Sequence, residues 1–179
     1  MSSLHRLTTE YVETEDRIRI TGELSHSADD AGPAPTVVLW LTQRLLNRLL
    51  PHLFDWLQQH DNPHRWSEAT QGFAQQAAVA ALQTQAAEPV RSSTHSLSCL
   101  VQSLQLSSTP EQLQLQFVTP NAQPEPRIHL SLAAQPLRQW LHILYDLYVR
   151  ADWPVALWPQ WLVEARQPNT GMSSNRWLH

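Results

Sequence analysis

The sequence predicts an α+β domain of two pseudo-symmetric β-β-β-α halves, an antiparallel sheet packed by two amphipathic helices and joined by an alanine-rich connecting helix. Two observations carry that prediction. Residues 4–60 and 97–150 each read as three short strands followed by one long amphipathic helix, and matched positions (Ile18 with Leu113, Val37 with Ile128, Leu45 with Leu137) keep a nearly constant offset. Residues 63–86, between them, have helical composition with no counterpart in the other half. On this reading residues 1–166 form one domain, with half one at 4–60, the connector at 63–86 and half two at 97–162, followed by a loose tail at 167–179. A chain of 179 residues is long enough to bury a core without disulfide or metal staples.

The elements follow from periodicity. Leu7, Thr9 and Tyr11 alternate with Thr8, Glu10 and Val12, a weak strand, and Thr14-Glu15-Asp16 makes a tight turn into a second strand in which Ile18 and Ile20 share a face. Residues 25–36 are turn-formers and read as an exposed loop. Val37 to Leu41 is apolar on both faces, which predicts a central strand covered on each side. Thr42 is the expected cap of a helix over 43–59, whose apolar half carries Leu45, Leu46, Leu49, Leu50, Leu53, Phe54, Trp56 and Leu57. Pro51 falls on its wet half and predicts a bend, a break at Leu50 being the alternative. Asn62 or Ser67 caps the connector, in which Trp66, Phe73 and Leu82 are the only large apolar residues.

In the second half Leu97 to Leu106 and Gln112 to Val118 form a hairpin, with Leu113, Leu115 and Phe117 facing inward. Asn121 to Pro126 is a proline-rich loop, and Ile128 to Leu132 is the next strand. The closing helix, 136–150, sets Leu137, Trp140, Leu141, Ile143, Leu144, Leu147 and Tyr148 on one face, while Arg138, His142, Asp146 and Arg150 form an i,i+4 ladder on the other.

Composition narrows the function classes. A net charge of −4 with neither sign dominant gives no electrostatic footprint for nucleic acid or an anionic membrane. There is no signal-peptide core and no run of about 18 apolar residues, so no membrane insertion is expected. A lone cysteine, Cys99, excludes an intrachain disulfide and reads as a buried inert thiol, which fits a reducing, cytoplasmic setting. All 12 basic residues are arginine, and there are 8 Trp. Codon bias gives that pattern, and so does an interface, where the planar guanidinium fork and the rigid indole are the enriched anchors.

No catalytic constellation emerges. The four glycines, Gly22, Gly32, Gly72 and Gly171, are scattered, so no phosphate-cradling loop and no Gly-x-Ser-x-Gly elbow is possible. Carboxylates sit mostly at turns, and no cofactor is implied. His52, Asp55, His60, Asp61 and His64 come nearest to a metal cluster, but their spacing matches no zinc motif. The candidate partner-binding residues are Arg44 and Arg48, one turn apart on the polar face of the first helix, the rigid Trp153/Trp158/Trp161 cluster between Pro154 and Pro159, and Trp177 near the end. The three indoles either cap the core or form an exposed platform. The expectation is a non-catalytic accessory or adaptor subunit whose partner is another protein or a second copy. The alternative is a small-molecule-binding domain or enzyme with a Trp-lined cleft, using His52, His60 or His142 for proton transfer.

Overall fold

Strict alternation of apolar and polar residues builds most of the sheet. The computed structural model describes residues 2–25, 34–61, 68–84, 88–119 and 127–166. The first part of the chain runs β1 (Ser2–Val12), β2 (Arg17–Leu24), β3 (Thr36–Leu41), α1 (Gln43–Asp61) and α2 (Glu68–Thr84). The second runs β4 (Leu97–Leu100), β5 (Ser103–Ser108), β6 (Leu113–Val118), β7 (Ile128–Leu132), α3 (Ala134–Arg150) and α4 (Gln160–Arg166). The fold is α+β, one curled sheet of seven strands with four helices, in the order β4-β3-β2-β1-β7-β6-β5.

The sheet is mixed, not antiparallel as expected. Short turns make β1/β2 and β5/β6 antiparallel, and β2/β3 and β6/β7 follow the same pattern. β3 and β4 are parallel because α1 and α2 intervene and return the chain to the same end of the sheet. β1 and β7, the outer strands of two separate meanders, also meet in parallel, through Ser2–Leu4 and Ile128–Leu130. The expected single strand over 97–106 is two. Leu97–Leu100 pairs with β3, whereas Ser103–Ser108 pairs with β6. At the junction the Val101 N–H donates to the Trp40 carbonyl at 2.9 Å and the Gln102 N–H to Val118 at 2.9 Å. Both ends of the sheet therefore belong to one continuous segment, and the sheet curls.

Register puts the apolar residues on one face. Ile18 lies opposite Leu41, Ile20 opposite Leu39, Leu115 opposite Leu130 and Phe117 opposite Ile128, and all are buried in a core completed by α1 and α3. Gly22 lies opposite Leu7 beside the β1 bulge between Leu4 and Arg6, and a Cβ there would require the end of the Leu4 side chain to move. On the other face Thr8, Thr21 and Val38 stand in one row, and Thr21 and Val38 are buried. The segment expected to be polar linker crosses this row: the Val90 N–H donates to Thr8 Oγ1 at 2.7 Å and Arg6 donates to the Glu88 carbonyl at 2.9 Å. That strap lies against this face at β1.

Thr42 caps α1 through its hydroxyl, which accepts from the Leu45 N–H at 3.3 Å. α1 runs unbroken through Pro51, whose ring is exposed. α2 packs on α3 and α4 as an outer layer. Its Phe73 points outward, 72% exposed. The proposed caps Asn62 and Ser67 lie outside the described residues, as do Trp66, the loop tip at 121–126 and the tail from 167.

A part-buried hydrogen bond joins α1 and α3, from Tyr148 OH to Asn47 Oδ1 at 2.8 Å. Burial holds the Tyr148 phenol well above its ordinary value of about 10. The Tyr11 phenol is also raised, first by the hydrogen bond it gives to Asp16. Both shifts favour the neutral form in the folded state, so their stabilisation is complete below pH of about 10 and is lost as pH climbs through the folded values. Alkaline titration followed by phenolate absorbance and circular dichroism should show Tyr148 ionising only together with unfolding, and Tyr148→Phe should flatten the fall in stability above pH ~10. Complete phenol ionisation with the native spectrum intact would contradict this packing.

Candidate functional site

The residues that face away from the core of α1 meet the free end of the sheet. Leu46, Leu49, Leu50 and Leu53 are buried, which leaves Arg44, Arg48, His52 and Asp55 exposed on the opposite arc. β5 ends the strand order, so one of its edges has no strand neighbour. Leu104 lies opposite Phe117 and Leu106 opposite Leu115, yet Leu106 is 39% exposed because no further strand covers it.

α1 and β5 run side by side and leave a groove. Its first part, about 330 Å³, is lined by Leu45, Arg48, Leu49 and His52 from the helix and by Gln102 to Leu104 and Leu106 from the strand segment. Its second part, about 290 Å³, is lined by Trp56, Gln59 and His60 and by Ser108, Thr109 and Pro110. Leu45 and His60 mark its two ends, and at 1.5 Å per helical residue the groove is roughly 22 Å long. The Trp56 N–H donates to the Thr109 carbonyl at 3.3 Å, and the His60 ring stacks on the indole at 4.8 Å, so the far wall is fixed.

The charge of this groove is one-sided. Among the described residues Arg48, His52 and His60 are its ionisable lining residues, with Arg44 exposed one turn before Arg48. Of the carboxylates nearest in sequence, Asp55 and Glu111 line neither part, and the Asp61 side chain lies outside the described residues. Among the described residues Arg44 and Arg48 make no ion pair. The first part offers apolar contact from both walls under a basic rim, and the second is more polar.

The other candidates fall elsewhere. Trp153, Trp158 and Trp161 are buried, so no exposed platform forms. The reason is aromatic packing: Trp158 meets Phe54, Tyr145 and Tyr148 at 5.2–5.5 Å, and Trp161 meets Phe54 edge-on at 6.3 Å. Trp153 sits at 90° to Tyr148 and 78° to Tyr11, and its N–H donates to Asp16 Oδ1 at 2.9 Å. Among the described residues the Nε1 atoms of Trp158 and Trp161 have no hydrogen-bond partner. Trp177 and His64 lie outside the described residues, as does the Asp61 side chain. His52 and His60 are exposed and line different parts of the groove, and no group of three potential metal ligands occurs among the described residues. Cys99 is half-buried, and burial pushes its thiol up, against a smaller opposing effect of the Thr119 hydroxyl, so it stays protonated at neutral pH.

The i,i+4 ladder on α3 is overturned at its first rung. His142 Nε2 does lie 3.7 Å from Asp146, but Arg138 is only 2% exposed because α2 and α4 cover that face. Its guanidinium donates to the Gln71 and Gln75 side-chain oxygens and stands 5.2 Å over the Trp161 ring, while Gln75 donates back to the Arg138 carbonyl at 2.9 Å. The signal was the pair Gln71 and Gln75, one turn apart in a helix otherwise rich in alanine.

Comparison with protein-family models, with curated proteins and with solved structures finds no match to this chain.

Core and surface assignments separate in one experiment. Trp158→Ala should destabilise by roughly 3–5 kcal/mol. Arg48→Ala should stay within about 0.5 kcal/mol. Denaturant unfolding of the two variants checks this, and similar small losses would contradict the burial of Trp158.

Proposed function

We propose that this chain is a non-catalytic accessory or adaptor subunit that binds another protein along the α1–β5 groove. The observation that carries the reading is that groove: a mostly apolar cleft followed by a more polar one, together spanning roughly 22 Å of α1, beside a strand edge with no strand neighbour and rimmed by Arg48 and His52, with no lining carboxylate among the described residues. An exposed edge strand carrying leucines is a hazard for a protein that stays alone, and a seat for one that does not.

We also read the domain as two β-β-β-α units connected by α2. Each unit's first strand is used twice in the same manner. Residues 2–4 pair in parallel with β7, and the strand pairs antiparallel with β2 from Leu4 onward, with a register shift between Leu4 and Arg6. Residues 97–100 pair in parallel with β3, and from Ser103 the chain pairs antiparallel with β6 across the Val101-Gln102 junction. The proposed partner site then belongs to one seam of a pair.

Affinity capture of the tagged chain from its native cell extract tests the function. A near-equimolar protein that survives moderate salt should be retained by the native sequence. It should fall at least tenfold with Arg48→Glu combined with Leu106→Asp, at unchanged Tm. Equal retention by the double variant would refute the groove as the site.

A further inference from the structure

If the two units are equivalent, the groove has an internal counterpart already filled by the chain itself. Aligning Leu45 with Leu137 places Arg48 on Trp140 and Trp56 on Tyr148. Aligning Ile18 with Leu113 and Ile20 with Leu115 carries their strand partners with them, placing Tyr11 on Ser108 and Thr9 on Leu106. In the α3–β1 seam these positions are sealed. The Trp140 N–H donates to Thr9 Oγ1 at 3.1 Å, and the Trp153 indole is held edge-on against Tyr148 and Tyr11. In the α1–β5 seam the same positions border clefts, with His60 stacked on one face of Trp56 and the Trp56 N–H on the Thr109 carbonyl. Arg48 and Leu106 line one part of the groove, and Trp56 and Ser108 line the other.

We infer that the groove receives an extended acidic segment of a partner protein, with an aromatic side chain seated between Trp56 and Ser108 and a carboxylate on Arg48. The inference rests on the interaction and repeat readings above. The aromatic follows from the counterpart seam, where an indole fills the matching place against a ring on the helix and a residue on the strand. The acidity follows from charge complementarity: an arginine replaces the sealing indole, and among the described residues it has no ion pair and is joined by His52 with no lining carboxylate. An extended segment matches a narrow trough that follows a strand edge.

The test uses the full chain and a fluorescein-labelled acidic peptide of ten residues with one central tryptophan, read by fluorescence anisotropy. Two control peptides replace the tryptophan by alanine or every Asp and Glu by Asn and Gln. Each control should bind at least tenfold more weakly. Arg48→Glu and Ser108→Trp, the latter filling the cleft from within, should each weaken the acidic tryptophan peptide at least tenfold without lowering Tm, and raised salt should weaken it further. Equal binding of the three peptides, or tight binding indifferent to both variants, overturns the inference. Groove-dependent capture of the native partner alongside indiscriminate peptide binding would leave the interaction reading standing and sink this one. Groove-independent capture sinks both.

Discussion

Between Leu100 and Ser103 the chain changes neighbours within two residues. Val101 still donates to Trp40 on β3, and Gln102 already donates to Val118 on β6. Because β4 and β5 stand at opposite ends of the strand order, this junction draws the two ends of the sheet onto one segment. A flat sheet is then impossible, and the curl encloses the concave row of Ile18, Ile20, Leu39, Leu115 and Ile128 against α1 and α3. Val101 itself is buried, so the junction is held by packing as well as by hydrogen bonds. The same departure of β5 from β4 leaves the outer edge of β5 facing α1, which is where the groove lies.

The helices answer this geometry differently on the two sides. Beside β1, α3 brings Trp140 to Thr9, and the turn after it brings Trp153 onto Tyr11 and Asp16, so aromatic packing and two indole hydrogen bonds close the seam. Beside β5, α1 presents Arg48 and His52, and the apolar trough stays accessible. Closing a seam with indoles serves stability, and the proposed function assigns the other seam, with an arginine at its rim, to recognition. The arginine–tryptophan composition is thus divided: Trp153, Trp158, Trp161 and Arg138 are interior, and Arg44 and Arg48 remain at the surface.

Much of the fold was legible because its elements have clean periods. Ile18/Ile20, Leu113/Leu115/Phe117 and the leucine arc of α1 were each assigned to the face the structure buries, and Thr42 was placed as the cap it is. What failed was information that periodicity does not contain. Leu97 to Leu106 is one apolar alternating run, and nothing local says that half of it pairs with β3 and half with β6. Arg138 has the spacing of a solvated ladder, and only the tertiary layer of α2 and α4 makes it interior. For the site, Arg44 and Arg48 were visible as one polar helix face. The other wall, Leu104 and Leu106, was hidden because a strand's free edge is a property of sheet order.

Amide hydrogen exchange resolved at Val101 and Gln102 tests the junction most directly. Both amides should exchange with protection comparable to Ile18 and Ile20 in the centre of the sheet, because both are bonded across a closed curl. Exchange of Val101 and Gln102 at loop-like rates, with β2 still protected, would mean that the two ends of the sheet are not joined and that the groove beside β5 is not the structure described.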